Sequence, residues 1–115
     1  MADELLSRPA SKRPTAHCCA SDYIAAILEF SAAKHGLKVP DDLSIIGFSN
    51  LHDVALIHPG LSTVDQSFEK EGQAAATLLI EDIERKKCIS FSRPISRQVE
   101  TKLLVRDTTK PLKQN

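Results

Sequence analysis

Two short apolar runs, each closed by a polar pair and separated by a capped helical stretch, constrain this chain more than any other feature. Thr15 to Ala20 is small and mostly apolar, as a buried parallel strand would be. Ser21 and Asp22 follow, with short side-chain oxygens able to accept from the free amides of a helix's first turn. Ile24, Ile27, Leu28 and Ala32 then keep helical spacing, and Gly36 supplies a residue that takes positive φ cheaply just past the helix end. Pro40 keeps that helix from running into the second apolar run, Leu43 to Phe48, whose polar end is Ser49-Asn50.

Downstream, Leu51 to Ile57 reads as a short helix before Pro59-Gly60, and Thr63-Val64 as a brief strand. The clearest helix runs from Phe68 to about Lys87. Glu69 and Glu71 lie in its first turns and Arg85, Lys86 and Lys87 in its last, both signs matching the helix dipole. Gly72, Ala75, Ala76, Leu79 and Ile83 form its apolar stripe. Cys88 to Arg97 reads as a loop or edge segment. Val99, Thr101, Leu103 and Val105 alternate as a final strand, and residues 110–115 form a polar tail. Ala2 to Ser7 reads as the end of a further helix. Strands alternating with helices of this length predict an α/β fold with a mostly parallel sheet. In such sheets ligands bind at the carboxyl ends of the strands, which singles out Ser21 and Asp22, Ser49 and Asn50, and Asp65 and Gln66.

Composition narrows the function classes. The 115 residues carry fifteen acidic and fifteen basic side chains, a balance with no electrostatic footprint for nucleic acid. No apolar run approaches the roughly 20 residues of a membrane span, and the acidic N-terminus does not read as an export signal. Three cysteines without such a signal suggest no disulfide framework, so the cytoplasm is the expected location. His17, Cys18 and Cys19 invite a metal or nucleophile reading. Strand alternation sends neighbours to opposite faces, and no second ligand pair at zinc spacing accompanies them. Buried, small, apolar-behaving cysteines are the expectation. No metal, no cofactor and no catalytic constellation are expected, which argues against an enzyme.

Several passages in order resemble the LacI/GalR family of bacterial transcription regulators: Arg13-Pro-Thr-Ala16 with Cys19-Ala-Ser-Asp22, and Gly36-Leu-Lys-Val-Pro-Asp41 with Ser44-Ile-Ile-Gly-Phe48. Leu61-Ser-Thr-Val64 with Gln66, the Gly72, Ala75, Leu78, Leu79 helix pattern and Leu104-Val-Arg-Asp-Thr108 continue the likeness. It covers residues 1–109 and implies a partial type I periplasmic-binding-protein-like (Rossmann-like) sensor domain, truncated on its N-terminal side. In that family two α/β lobes close on a small ligand. The resemblance places residues 13–64 and 102–106 mainly in the C-terminal lobe and residues 68–100 among N-terminal-lobe elements. It implies that the DNA-reading headpiece and most of the N-terminal lobe lie outside this chain. The apolar stripe on Phe68 to Lys87 would then lack its usual cover and must repack, dimerise or stay exposed, leaving the chain marginally stable.

By the same resemblance, Ser21, Ser49 and Gln66 line the effector crevice, with Asp22 beside them and Phe68 as an apolar wall for a sugar face. Hydroxyls and amides suit that role because they exchange hydrogen bonds with ligand hydroxyls without a charge's desolvation cost. Many members carry Asp where Ser49 stands, so the effector, a sugar or a purine-like molecule, is not fixed. Against this, Ser21 serves as a helix cap, Gln66 is solvated, and Asp22 anchors its helix as a cap or hydrogen-bond acceptor. The family's dimer surface maps onto Ile24, Ala25 and Leu28 and onto Val54 and Ile57. Ordinary core packing is the alternative, preferred for Ile27 and Leu28. The implied partners are a small-molecule effector, a second copy in the complete protein, and DNA only through a headpiece this chain does not contain. A transport-type periplasmic binding protein on the same fold is the competing function, and the regulator-like Val39-Pro-Asp-Asp-Leu-Ser44 counts against it.

Overall fold

The computed structural model describes residues 2–56, 58–86 and 95–111, with only the backbone given at Val54, Ala55 and Lys86. The chain divides into two compact units, Met1–Asp65 with Lys102–Asn115 and, separately, Gln66–Thr101. The first holds helix α1 (Ala2–Leu6), strand β1 (Ala16–Cys18), helix α2 (Asp22–Lys34), and strands β2 (Ser44–Ile46), β3 (Thr63–Asp65) and β4 (Lys102–Leu104). The second is built on helix α3 (Phe68–Lys86). Short 3-10 turns occupy Ala10–Lys12 and Asp53–Leu56.

β1 and β2 pair in parallel, with Ala16, His17 and Cys18 opposite Ser44, Ile45 and Ile46. Parallel bridges at Ile46–Ser62 and Ser49–Asp65 set β3 beside β2 in the same direction. β4 alone runs antiparallel, pairing Thr63 with Leu104 and Asp65 with Lys102. The sheet is thus mostly parallel, as strand–helix alternation requires when each return passes through a helix or long loop.

Helix α2 starts and stops as its sequence dictates. Ser21 sits at the N-cap in an extended conformation, and its hydroxyl accepts from the Ile24 amide at 3.3 Å. At the other end Gly36 adopts φ 69°, and the Gly36 and Leu37 amides donate to the Ala33 and Ala32 carbonyls. That is a Schellman closure, which a side chain at Gly36 would strain. Ala25, Leu28 and Ala32 of α2 pack on Leu43 and Ile45, with Leu6 and Leu61 completing the core.

Several expectations about which side faces inward are corrected. Leu28 is in the core, but Ile27 is 51% exposed. The buried stripe of α2 runs through Asp22, Ala25, Leu28 and Ala32, and Ile27 falls outside that arc. Cys18 is exposed and Cys19 half-buried, because β1 pairs only with β2 and its other edge is uncovered among the described residues. The last strand also has the opposite sense to the apolar alternation: Leu103 and Val105 face out, while Leu104, Arg106 and Thr108 turn in.

Thr108 explains that phase. Its fully buried hydroxyl donates to the Ile45 carbonyl at 2.7 Å and accepts from the Ser62 amide at 2.8 Å. The Ile45 amide in turn donates to the Thr108 carbonyl at 2.8 Å. The segment after β4 therefore satisfies β2 and β3 backbone that would otherwise be orphaned in the core.

In the second unit α3 exposes Leu79, Ile80 and Ile83. Arg97 pairs with Glu81 at 3.0 Å and, with Val99, edges a shallow cavity beside Glu71, Ala74, Ala75 and Leu78.

Gly47 is the position where the fold leaves no room for a side chain. A Cβ there would collide with Asp22 Oδ1 and lie 3.1 Å from both Asp22 Cα and Leu61 Cδ2. Gly47→Ala should therefore lower unfolding stability by roughly 3 kcal/mol, within the range for overpacking a tight core. Urea denaturation checks this, and an unchanged midpoint would refute the close-packing account of Gly47.

Candidate functional site

The polar residues at the strand ends converge in the first unit. The Asp22 amide donates to the Phe48 carbonyl at 2.9 Å, and the Ser49 amide to the Val64 carbonyl at 2.9 Å. These bonds draw Ser21-Asp22, Ser49-Asn50 and the end of β3 to one edge of the sheet. Ser49 and Asn50 both have positive φ, 115° and 54°. Two consecutive non-glycine residues in this region are rare, and such strain persists only where neighbours hold it.

The neighbours are identifiable. The Asn50 amide donates to Thr63 Oγ1 at 3.4 Å, and the Leu51 amide to Asp22 Oδ2 at 2.8 Å. Thr63 Oγ1 donates to Asp22 Oδ1, and Arg106 Nη2 to Asn50 Oδ1 at 2.9 Å. Arg106 Nη1 reaches the Leu61 carbonyl at 2.7 Å, and its own amide reaches Ser62 Oγ at 2.9 Å. The site has a rigid frame of Asp22, Thr63 and Arg106 and a presented turn of Ser49 and Asn50.

Against the residues expected from sequence, Ser21 and Ser49 are half-buried at this edge, Ser21 as the α2 cap. Asp22 takes the anchoring role weighed for it rather than ligand contact: it is fully buried, and both oxygens accept hydrogen bonds from the protein itself. Gln66 and Phe68 belong to the second unit, where Gln66 is half-buried and Phe68 opens α3 half-exposed. Sequence reasoning missed Thr63 and Arg106 as parts of the frame. Both stand in the motifs quoted above, but the pairing of β4 with β3 was not visible there.

The candidate dimer residues divide. Ile24 is half-exposed on the outer side of α2, whereas Ala25 and Leu28 lie in the core and cannot face a partner. The side chain of Val54 and all of Ile57 lie outside the described residues. The outward apolar residues of α2 are Tyr23, Ile24, Ile27 and Phe30, with the Lys34 ammonium 4.5 Å from the Phe30 ring centre.

Two further cavities lie in the first unit. One, of about 420 Å³, is lined by Ala2, Leu5, His17, Cys18, Cys19, Ala20, Ile24, Ile27 and Leu28. His17 Nε2 is buried without a partner, and burial, then the neighbouring Cys18, pushes the Cys19 thiol up. Among the described residues no three His, Cys, Asp or Glu side chains group as a metal site, and no helix is long and apolar enough to cross a membrane.

The other cavity, of about 380 Å³, runs along α2 beside Glu29, Phe30, Val39, His58 and Pro59. Burial raises the Glu29 carboxyl pKa, an effect His58 partly opposes, and Oε2 has no hydrogen-bond partner. A raised folded-state pKa means the native state holds its proton to higher pH than the unfolded chain. The associated stability is present below the ordinary carboxylate range and lost as pH rises through the raised value. Glu29→Gln should accordingly raise the neutral-pH denaturation midpoint and flatten its fall from acid to neutral. Parallel urea titrations at both pH values test this.

Asp22→Asn should be strongly destabilising. An amide has one acceptor oxygen for two donors and turns its own N–H toward the other, so about 3 kcal/mol should be lost. Exchange of the Leu51 amide should accelerate with it, and retention of both would contradict the anchoring role.

Over residues 1–109 the chain matches the family described as periplasmic binding protein-like domain. It is 35% identical over 112 residues to the arabinose metabolism transcriptional repressor of Geobacillus stearothermophilus, covering 97% of this chain and 30% of the repressor. It is 36% identical over 109 residues to the HTH-type transcriptional repressor CytR of Escherichia coli, covering 95% and 30%. Among solved structures, a LacI family transcriptional regulator from Enterococcus faecium with bound ribose superposes with a TM-score of 0.80 at 25% identity, covering 97% of this chain and 40% of that one. The chain thus spans about a third of the length of the curated relatives it matches. It belongs to the periplasmic binding protein-like domain family, as a partial effector-binding domain of the kind found in LacI-family transcription regulators.

Proposed function

We propose that this chain is the ligand-sensing part of a LacI/GalR-type transcription regulator, working in the cytoplasm, and that Ser21 and Ser49 of the first unit and, separately, Gln66 and Phe68 of the second are its effector-contacting residues. The observation that carries this reading is the strained Ser49-Asn50 turn at the carboxyl ends of parallel strands, where open α/β sheets take their ligands. Hydroxyl and amide groups match the chemistry of a sugar, and ribose occupies the Enterococcus faecium relative. A purine-like effector fits the same donors and acceptors, and several relatives are repressors named PurR.

In this reading residues 13–64 and 102–106 belong to the C-terminal lobe and residues 68–100 to the N-terminal lobe. Effector binding favours one arrangement of the lobes because it binds the two arrangements unequally. DNA contact belongs to a headpiece outside these residues, in keeping with a net charge of zero. A second copy docks in the complete protein through the outer side of α2, where Tyr23, Ile24, Ile27 and Phe30 are exposed. The repressor names of the relatives favour regulation over transport or catalysis.

Titration of isotope-labelled chain with ribose, glucose, arabinose and purine bases tests the reading by amide chemical shifts. At least one ligand should shift the Ser21, Ser49 and Gln66 amides, and Ser49→Ala should weaken its binding about tenfold, one hydrogen bond's worth. A panel that leaves those amides unmoved would overturn the effector assignment. Duplex DNA should leave the spectrum unchanged at physiological salt.

A further inference from the structure

The Ser49-Asn50 turn is held from below by a residue distant in sequence. Arg106 lies just past β4, the strand on which the chain re-enters the first unit after Thr101. Its guanidinium forks between the Leu61 carbonyl at 2.7 Å and Asn50 Oδ1 at 2.9 Å, and its amide is fixed by Ser62 Oγ at 2.9 Å. The Asn50 side chain is thereby tied to β4, while its backbone keeps φ 54° and the preceding Ser49 φ 115°.

We propose that Arg106 is the positioning residue of the effector loop: through Asn50 it holds the Ser49-Asn50 turn in its strained form, so the seating of β4 sets how Ser49 is presented. This rests on the reading of Ser49 as a crevice residue. The alternative is that Arg106 only stitches β4 to the end of β3. Geometry favours positioning, because Leu61 and Ser62 take one guanidinium nitrogen and the backbone amide, leaving Nη2 committed to Asn50. Asn50 has its own amide on Thr63 Oγ1, and its neighbour Leu51 is held by Asp22. Among the described residues, Arg106 is therefore the contact that fixes the Asn50 side chain, as distinct from its backbone. A lysine cannot reproduce it, since a single ammonium on a flexible stem lacks the planar fork.

A double-mutant cycle read by amide hydrogen exchange on the full 115-residue chain tests the proposal. Arg106→Lys should speed exchange at Ser49, Asn50 and Leu51 about tenfold, as local opening. The Cys19 and Gly47 amides, bonded to the Ile46 and Ser62 carbonyls, should keep their rates. Asn50→Gly removes the acceptor and takes positive φ without strain. In that background Arg106→Lys should produce no further acceleration at the loop. Asn50→Asp, which keeps the acceptor and charges it, should leave the loop protected, so the result does not depend on one variant folding.

Uniform acceleration of all amides would overturn the proposal, as would an Arg106→Lys effect that persists in Asn50→Gly or no effect at all. Titrating the same variants with ribose and glucose separates this from the effector reading. Sugar binding indifferent to a loosened loop would sink the crevice role of Ser49 and leave the Arg106 result standing.

Discussion

The buried carboxylate of Asp22 is the interaction on which the first unit depends. It begins α2, and its two oxygens take the Leu51 amide and the Thr63 hydroxyl from segments 29 and 41 residues away. A carboxylate in this position is stable only because both oxygens are satisfied; a charge so placed without partners would oppose folding. Gly47 is the matching concession, since anything larger would occupy the space of the carboxylate. Helix start, strand and the residue after the turn are thus joined through one side chain.

Each unit, taken by itself, also exposes apolar side chains. Helix α2 turns Tyr23, Ile24, Ile27 and Phe30 outward, and α3 turns Leu79, Ile80 and Ile83 outward. Apolar groups clustered on this scale mark surfaces that meet other protein or tend to associate. The partly buried carboxylate of Glu29, with Oε2 lacking a partner, adds a local penalty at neutral pH.

Local signals made much of this legible. Ser21 and Gly36 bracket α2 as their capping chemistry demands, the charges at the start of α3 mark its first turn, and the strand cores fall inside the apolar runs. What escaped was everything set by non-local pairing. Ile27 has helical spacing with the core residues yet lies at the edge of the buried arc, and only the packing of α2 on Leu43 and Ile45 decides that. The inward turn of Arg106 and Thr108 was hidden because alternation in Leu103 and Val105 gives a period but not a side. The polar strand ends were readable from the fold rule and Asp22 as a hydrogen-bond anchor from its place at the helix start, while the distant partners it holds required the hydrogen bonds themselves.

Thr108 has a consequence for how such a chain comes into being. The hydroxyl that satisfies Ile45 and Ser62 belongs to a residue made 63 and 46 positions later. During synthesis, which proceeds from the N-terminus at roughly 5–20 residues per second, the Ile45 backbone and the Ser62 amide lack these partners until that threonine emerges. The helices can form early; the sheet cannot be finished early. For several seconds the nascent chain therefore carries backbone groups whose final partner has not yet been made.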